Sequence, residues 1–341
     1  MITPPSGCRK THTGILISAL LLLFGTWLSF GKGATYQALG TRVELHDIIP
    51  ESRVVINIPS GVFANGLRPT RVIFYALPNG NTIEQTEGRA VTDESEWRYN
   101  IQHIAAQTAF LRERDSSHNY IVVYVESKTR AWTSHASKYA QSGNMYTSLV
   151  DSVRNFLAFN FSRFASVENQ KLILASHSGG GRFVFNYIAS SDVIPHFIER
   201  LIFIDSNYGY ESEIHLNKIA EWLKKGEKHL EVMAYVDTTV ILEGKPIVSS
   251  KGGTGYRSHM MATDLKNTGV ELNFTADSTF KKYVGESAEI IIKENPSGKI
   301  YHTVLVEKNG LIHGVLSGSS ISEKGYIFWD ERAYEKYIVK P

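Results

Sequence analysis

Cysteine is almost absent from this chain: among 341 residues there is one, Cys8. It precedes the apolar run near the N-terminus, whereas a lipid-anchor cysteine would follow it. Beyond that run no thiol remains to form a disulfide, so the fold must be held by a core of ordinary size, which this length permits. Runs of one charge are also missing. With 36 basic and 34 acidic residues and a formal net charge of +2, the chain has no basic stripe to suggest a nucleic-acid partner. There is no H-E-x-x-H, no cysteine pair and no D-x-D-x-D-G loop, so neither a metal nor a cofactor is expected. No G-x-x-x-x-G-K phosphate loop is present either. What remains is 43% hydrophobic and 21% charged, a globular and not a disordered composition.

The first thirty-odd residues read differently from the rest. Arg9, Lys10 and His12 precede an uncharged run at 14–31 that contains Leu-Leu-Leu-Leu-Phe. A basic segment followed by an apolar one of this length has the form of an export signal. Its length is near the lower limit for a spanning helix, so an uncleaved anchor over 14–31 is the alternative. The expectation is a signal or anchor at 1–34, a single domain at 35–341, and a secreted or periplasmic location, or a membrane-anchored one.

From there on, apolar runs of strand length alternate with amphipathic stretches of helix length. Strands are expected at 43–49, 54–58, 71–77, 120–125, 171–175, 201–204, 230–236 and 300–306. The runs at 71–77 and 120–125 lack polar alternation, as buried parallel strands do. Between the strands, Trp97 to Leu111, Met145 to Leu157 and Ile214 to Leu223 carry apolar residues at helical spacing, the last ending at Gly226. This alternation implies right-handed β-α-β units. The fold class is α/β, with a mostly parallel central sheet covered by helices on both faces. Gly252 to Arg257 reads as a mobile rim, with Arg257 as a candidate anion contact.

The most specific stretch is Leu172-Ile173-Leu174-Ala175-Ser176-His177-Ser178-Gly179-Gly180-Gly181. A strand runs into a serine flanked by small residues, and a helical segment follows. That is the form of a nucleophile elbow, in which the turn is so sharp that the positions two before and two after the serine must be small. Ser176 and Gly180 fill those places. In an open α/β sheet functional groups gather where strands end. Asp205, Asp237 and His313 each follow a strand, and Asn79 and Gly80 lie in the turn after 71–77. Serine, imidazole and carboxylate together suit acyl transfer: the imidazole takes the hydroxyl proton, and the acid fixes its tautomer.

In the order serine, acid, histidine along the chain, the sequence resembles the α/β-hydrolase superfamily over roughly residues 40–335. The resemblance implies Ser178 as nucleophile and His313 as base. The acid is Asp237, where the family usually keeps it, or Asp205 one strand earlier. Gly179 with Asn79 and Gly80 would form the oxyanion hole, although the H-G-G-G form is absent. His302 would lie within the last strand as a packed residue, and His177 would shape the pocket. The implied activity is an exported serine hydrolase of the carboxylesterase or lipase type, acting on a small or polymeric ester through an acyl-enzyme. The alternatives are a peptidase or amidase with the same triad, or a non-catalytic binding protein on that scaffold.

Overall fold

The computed structural model describes residues 37–340. The expected signal or anchor at 1–34 lies outside them, and no helix among the described residues is long and apolar enough to cross a membrane.

Ten strands form one sheet: β1 Thr41–His46, β2 Ser52–Ile58, β3 Thr70–Ala76, β4 Asn119–Ser127, β5 Gln170–His177, β6 Ile198–Ile204, β7 His229–Tyr235, β8 Asn273–Ala276, β9 Phe280–Val284 and β10 Ala288–Lys293. Their spatial order is β1-β2-β4-β3-β5-β6-β7-β10-β9-β8. The six strands from β4 to β10 in that order run parallel, while β1, β2, β9 and β8 pair antiparallel at the two margins.

The central strands are apolar throughout because both of their faces are covered. Val72, Phe74, Leu172 and Leu174 enter one core layer, while the intervening Ile73, Tyr75, Ile173 and Ala175 enter the other. This is the period-2 alternation of a strand sorted between two hydrophobic layers. Helices α1 Ile104–Arg114, α2 Ser142–Asn160, α3 Gly181–Ala189, α4 Asn217–Leu223, α5 Gly253–Asn267 and α6 Gly310–Leu316 supply the covering. Tyr146, Leu149, Phe183, Trp222 and Met261 bring α2, α3, α4 and α5 to the first layer, and Ile104, Leu111, Leu311 and Val315 bring α1 and α6 to the second. Each such side chain stabilises the fold by roughly 1.5–3 kcal/mol.

Two sequence expectations are corrected. The last parallel strand is not 300–306 but Ala288–Lys293, whose Ile290, Ile291 and Ile292 are fully buried against β7. After it the chain turns at Pro296-Ser297-Gly298, Ile300 is exposed, and Val304–Glu307 is a short helix. Three consecutive β-branched residues suit a doubly covered strand better than the isolated Ile300. The second correction concerns 252–257. It is the first turn of α5, with Gly252 as its N-cap.

Candidate active site

At the end of β5 the backbone turns sharply into α3. Ser178 adopts φ 54°, the left-handed region that costs a non-glycine residue strain. The close approach of strand and helix sets the neighbouring residue types. A Cβ added to Gly180 would lie 2.1 Å from the Ala76 carbonyl oxygen, and one at Gly181 would lie 1.7 Å from that of Ser206. Ser176, fully buried, fits because its hydroxyl hydrogen-bonds the Ser206 hydroxyl at 2.7 Å. The turn therefore has the physical form of the elbow read from the sequence, with Gly181 as a further position closed to side chains.

Ser178 lines a cleft of about 520 Å³ together with Asn79, Gly179, Arg182, Tyr208 and His302. His302 Nδ1 hydrogen-bonds Asp205 Oδ2. Asp205 follows β6 directly, is fully buried and itself has a left-handed backbone, φ 44°. Its second oxygen, Oδ1, accepts the Thr254 hydroxyl. Burial works against a charged imidazole at His302, but the hydrogen bond and charge of Asp205 outweigh it and raise its pKa above the ordinary value.

A second chain of hydrogen bonds supports the same loop from behind. His177 Nε2 bonds the His302 carbonyl oxygen at 3.0 Å, and its Nδ1 pairs with the Gln102 amide at 2.9 Å. Gln102 Oε1 in turn accepts the Tyr75 hydroxyl at 2.8 Å. With Nε2 donating to a carbonyl and Nδ1 accepting from an amide, His177 is the neutral Nε2–H tautomer. Burial lowers its pKa well below the ordinary value, which keeps it neutral. Its ring centre lies 4.7 Å from that of His302.

The other residues expected at the site sit elsewhere. Asp237 is buried but does not touch a histidine. Its Oδ2 accepts the Thr254 backbone N–H at 2.9 Å, holding the N-terminal turn of α5 whose threonine side chain bonds Asp205. It reaches Asp205 only through that threonine. Burial, with Asp205 adding to it, pushes its pKa up to about 6. His313 is buried on α6, its Nε2 3.4 Å from Glu289 and 3.8 Å from Glu231, in a cluster that does not include Ser178. It is displaced because the last strand ends nine residues before His302 and not seven before His313. Gly80 is also excluded as an oxyanion donor, since its N–H is committed to the Arg130 carbonyl at 2.8 Å. Asn79 and Gly179 remain on the cleft wall, the Asn79 carboxamide packed so closely on Gly179 that a Cβ there would lie 2.1 Å from its oxygen. Arg257 is tied to the Tyr210 carbonyl at 3.2 Å.

His302, expected as a packed strand residue, lies instead on the cleft beside Ser178 and bonds Asp205. The Ile-Ile-Ile run at 290–292, followed by a Pro-Ser-Gly turn, was the signal that would have ended the last strand early enough to leave His302 on the loop beyond it.

No family model matches the chain, and no curated protein matches it. Among solved structures it is similar to a thermostable esterase, at 14% identity and TM-score 0.47 over 80% of this chain and 61% of that one. It is similar to an IroE-like serine hydrolase from Shewanella oneidensis, at 16% identity and TM-score 0.44 over 81% and 78%. A siderophore hydrolase, EstA from Aspergillus nidulans, gives 10% identity and TM-score 0.48 over 85% and 99%. The chain spans 61% of the length of the first of these. At such identities the chemistry must come from the site's own geometry. A mostly parallel sheet between two helical layers, with a strained serine between strand and helix and an acid–imidazole pair on the loops beyond later strands, has the architecture of the α/β-hydrolases.

Proposed function

We propose that this protein is a serine hydrolase that cleaves a carboxylic ester through an acyl-enzyme, with Ser178 as nucleophile, His302 as general base and Asp205 as the acid that orients it. One observation carries the reading: the imidazole bonded to buried Asp205 lines the same cleft as the one serine held at an elbow.

The steps follow from the residues. Asp205 engages Nδ1 of His302 and so leaves Nε2 to accept the Ser178 proton. The serine oxygen attacks the substrate carbonyl, and the carbonyl π electrons move to the oxygen. The negative charge falls to backbone N–H donors of the cleft wall, for which Gly179, next to the nucleophile, and Asn79, both lining the cleft, are the candidates. His302 returns the proton to the departing alcohol. Water then repeats the sequence on the acyl-enzyme and restores Ser178. Asp205 keeps its charge throughout and stabilises the imidazolium. The basic-then-apolar stretch before residue 35 supports a second part of the proposal, that the protein acts after export.

The test is labelling of the full chain with a fluorophosphonate, followed by turnover on matched ester and peptide substrates. Modification at Ser178 with ester turnover is the expected result. Preference for the peptide series would make the protein an amidase with the same triad. An unlabelled, inactive protein would leave a binding scaffold. Export is tested by the N-terminus of the protein recovered from its native host: an intact N-terminus in the cytoplasm would overturn it.

A further inference from the structure

A second set of ionisable groups lies inside the second core layer, away from the cleft. Glu231 on β7 and Glu289 on β10 are paired neighbours in the parallel register, so their side chains leave the sheet side by side. His313 on α6 faces them, with Nε2 3.4 Å from Glu289 Oε2 and 3.8 Å from Glu231 Oε1. One donor atom from each of the three residues lies within 4.8 Å of the others. We propose that Glu231, Glu289 and His313 form a structural site for a divalent transition-metal ion such as Zn²⁺ or Mn²⁺.

The unfilled valences favour a cation over a self-contained hydrogen-bond network. Glu231 is fully buried, and its Oε1 has no hydrogen-bond partner. The His313 Nε2, on a residue 3% exposed, makes no well-aligned hydrogen bond either, its nearest acceptor being Glu289 Oε2 at 3.4 Å. Leaving a carboxylate oxygen and an imidazole nitrogen unpaired in a core is costly, and both are aimed into the same space. The two separations from the imidazole nitrogen suit ligands of one ion. Ligands at about 2.1 Å on a tetrahedral centre lie roughly 3.4 Å apart, close to the two distances at Nε2.

The surroundings hold the donors as outer-shell groups hold metal ligands. The Ser317 hydroxyl donates to Glu231 Oε2 at 2.5 Å, which leaves Oε1 for a metal. Ser317 also contacts His229 at 3.0 Å, which in turn lies 3.3 Å from Glu231 Oε2. The Tyr326 hydroxyl lies 3.4 Å from His313 Nδ1, and Phe328 stacks on the ring at 4.8 Å, fixing which nitrogen faces the carboxylates. Arg200, whose charge is felt by Glu231, forms no ion pair with either carboxylate. Its guanidinium donates to the carbonyls of Gly314 and Ser317. Glu289, 14% exposed at its side chain, provides the way in from solvent. No motif announces such a site, because its ligands come from three elements far apart in the chain. Mixed carboxylate and imidazole donors suit Mn²⁺, Zn²⁺ or Fe²⁺.

The full chain, stripped with chelator and dialysed, is titrated with Zn²⁺, Mn²⁺ and Co²⁺ by calorimetry, with the Co²⁺ visible spectrum recorded. One equivalent is expected to bind, with a ligand-field spectrum and a higher melting temperature. Glu231→Gln and His313→Gln should each weaken binding by about 100-fold or more, beyond the effect of an outer-shell change. Glu289→Gln, at the solvent edge, serves if either buried variant does not fold, and should also lose the Co²⁺ spectrum. Failure of the wild-type chain to bind any of the three ions, or equal affinity in a folded variant, would overturn the site and leave a proton-sharing cluster. None of these readouts depends on turnover at Ser178.

Discussion

Among the histidine–carboxylate groups of the described residues, one beside the cleft and one inside the core differ most in what their imidazoles can reach. Asp205 and His302 stand on loops beyond strand ends, with the imidazole 27% exposed at its side chain and facing a cleft that also holds Ser178. Glu231, Glu289 and His313 come from the middle of strands and from a helix, with the imidazole 3% exposed. The residue types are nearly the same. Access differs, because a proton-transferring imidazole must reach a substrate, whereas a structural one needs only its ligands.

The contrast breaks most directly at Ser178. Ser178→Ala should remove organophosphate labelling and lower turnover by about 10⁶-fold, the size of effect seen when a triad member is removed. Retained labelling would show that the strained serine is not the nucleophile. Asp205→Asn should come next, at about 10⁴-fold in kcat with the fold intact, because an amide favours the wrong imidazole tautomer.

Asp237→Asn sharpens the comparison, since Asp237 supports α5 and touches no histidine. Its expected cost is less than about tenfold in turnover, together with about 1 kcal/mol of stability, typical of a lost interaction at a helix N-terminus. Denaturant midpoints and kcat measured on both aspartate variants check the ranking; an inactive Asp237→Asn beside an active Asp205→Asn would reverse it.

Smaller again is the effect of pH. Only neutral His302 accepts the serine proton, and Asp205 raises its pKa. Turnover should therefore fall as pH drops, with a midpoint above 6.5. Removing the negative charge in Asp205→Asn should move that midpoint down. In stability the sign is opposite. The raised pKa contributes stability that is fully present below pH 6.5 and is lost as pH rises through the folded-state value. A pH–rate profile of kcat/KM reads the midpoint, and one unchanged by Asp205→Asn would detach the acid from the base. The smallest effect belongs to the second cluster: chelation should leave wild-type turnover at 25 °C within about twofold, because no residue of that cluster lines the cleft.

Much of this molecule was legible before folding was considered. Seven strands, β1 to β7, were placed within a few residues, because apolar runs such as Arg71–Leu77 and Tyr120–Val125 report burial on two faces. The elbow was equally plain, since the approach of Ala76 and Ser206 to the turn admits only small residues and that demand is local. The histidine was not. Its choice depends on where the last strand ends: the run at 300–306 reads as that strand, whereas the strand packed against β7 is 288–293. The acid stays open between Asp237 and Asp205 for a related reason. Asp205 and Asp237 each follow a buried strand, and nothing in their local sequence distinguishes a triad acid from one that holds a helix end.

Periodicity, residue size and backbone conformation act over a few neighbouring residues, and that is enough to set the strand–helix alternation, the two-sided core and the serine at its turn. Tertiary structure alone decided that Asp205 and His302 meet, that Asp237 holds α5, and that Glu231, Glu289 and His313 converge in the core. Those pairings span 97 residues in the first case and join three separate elements in the last. They are fixed by which strands lie side by side and where each one stops, and no local preference encodes that.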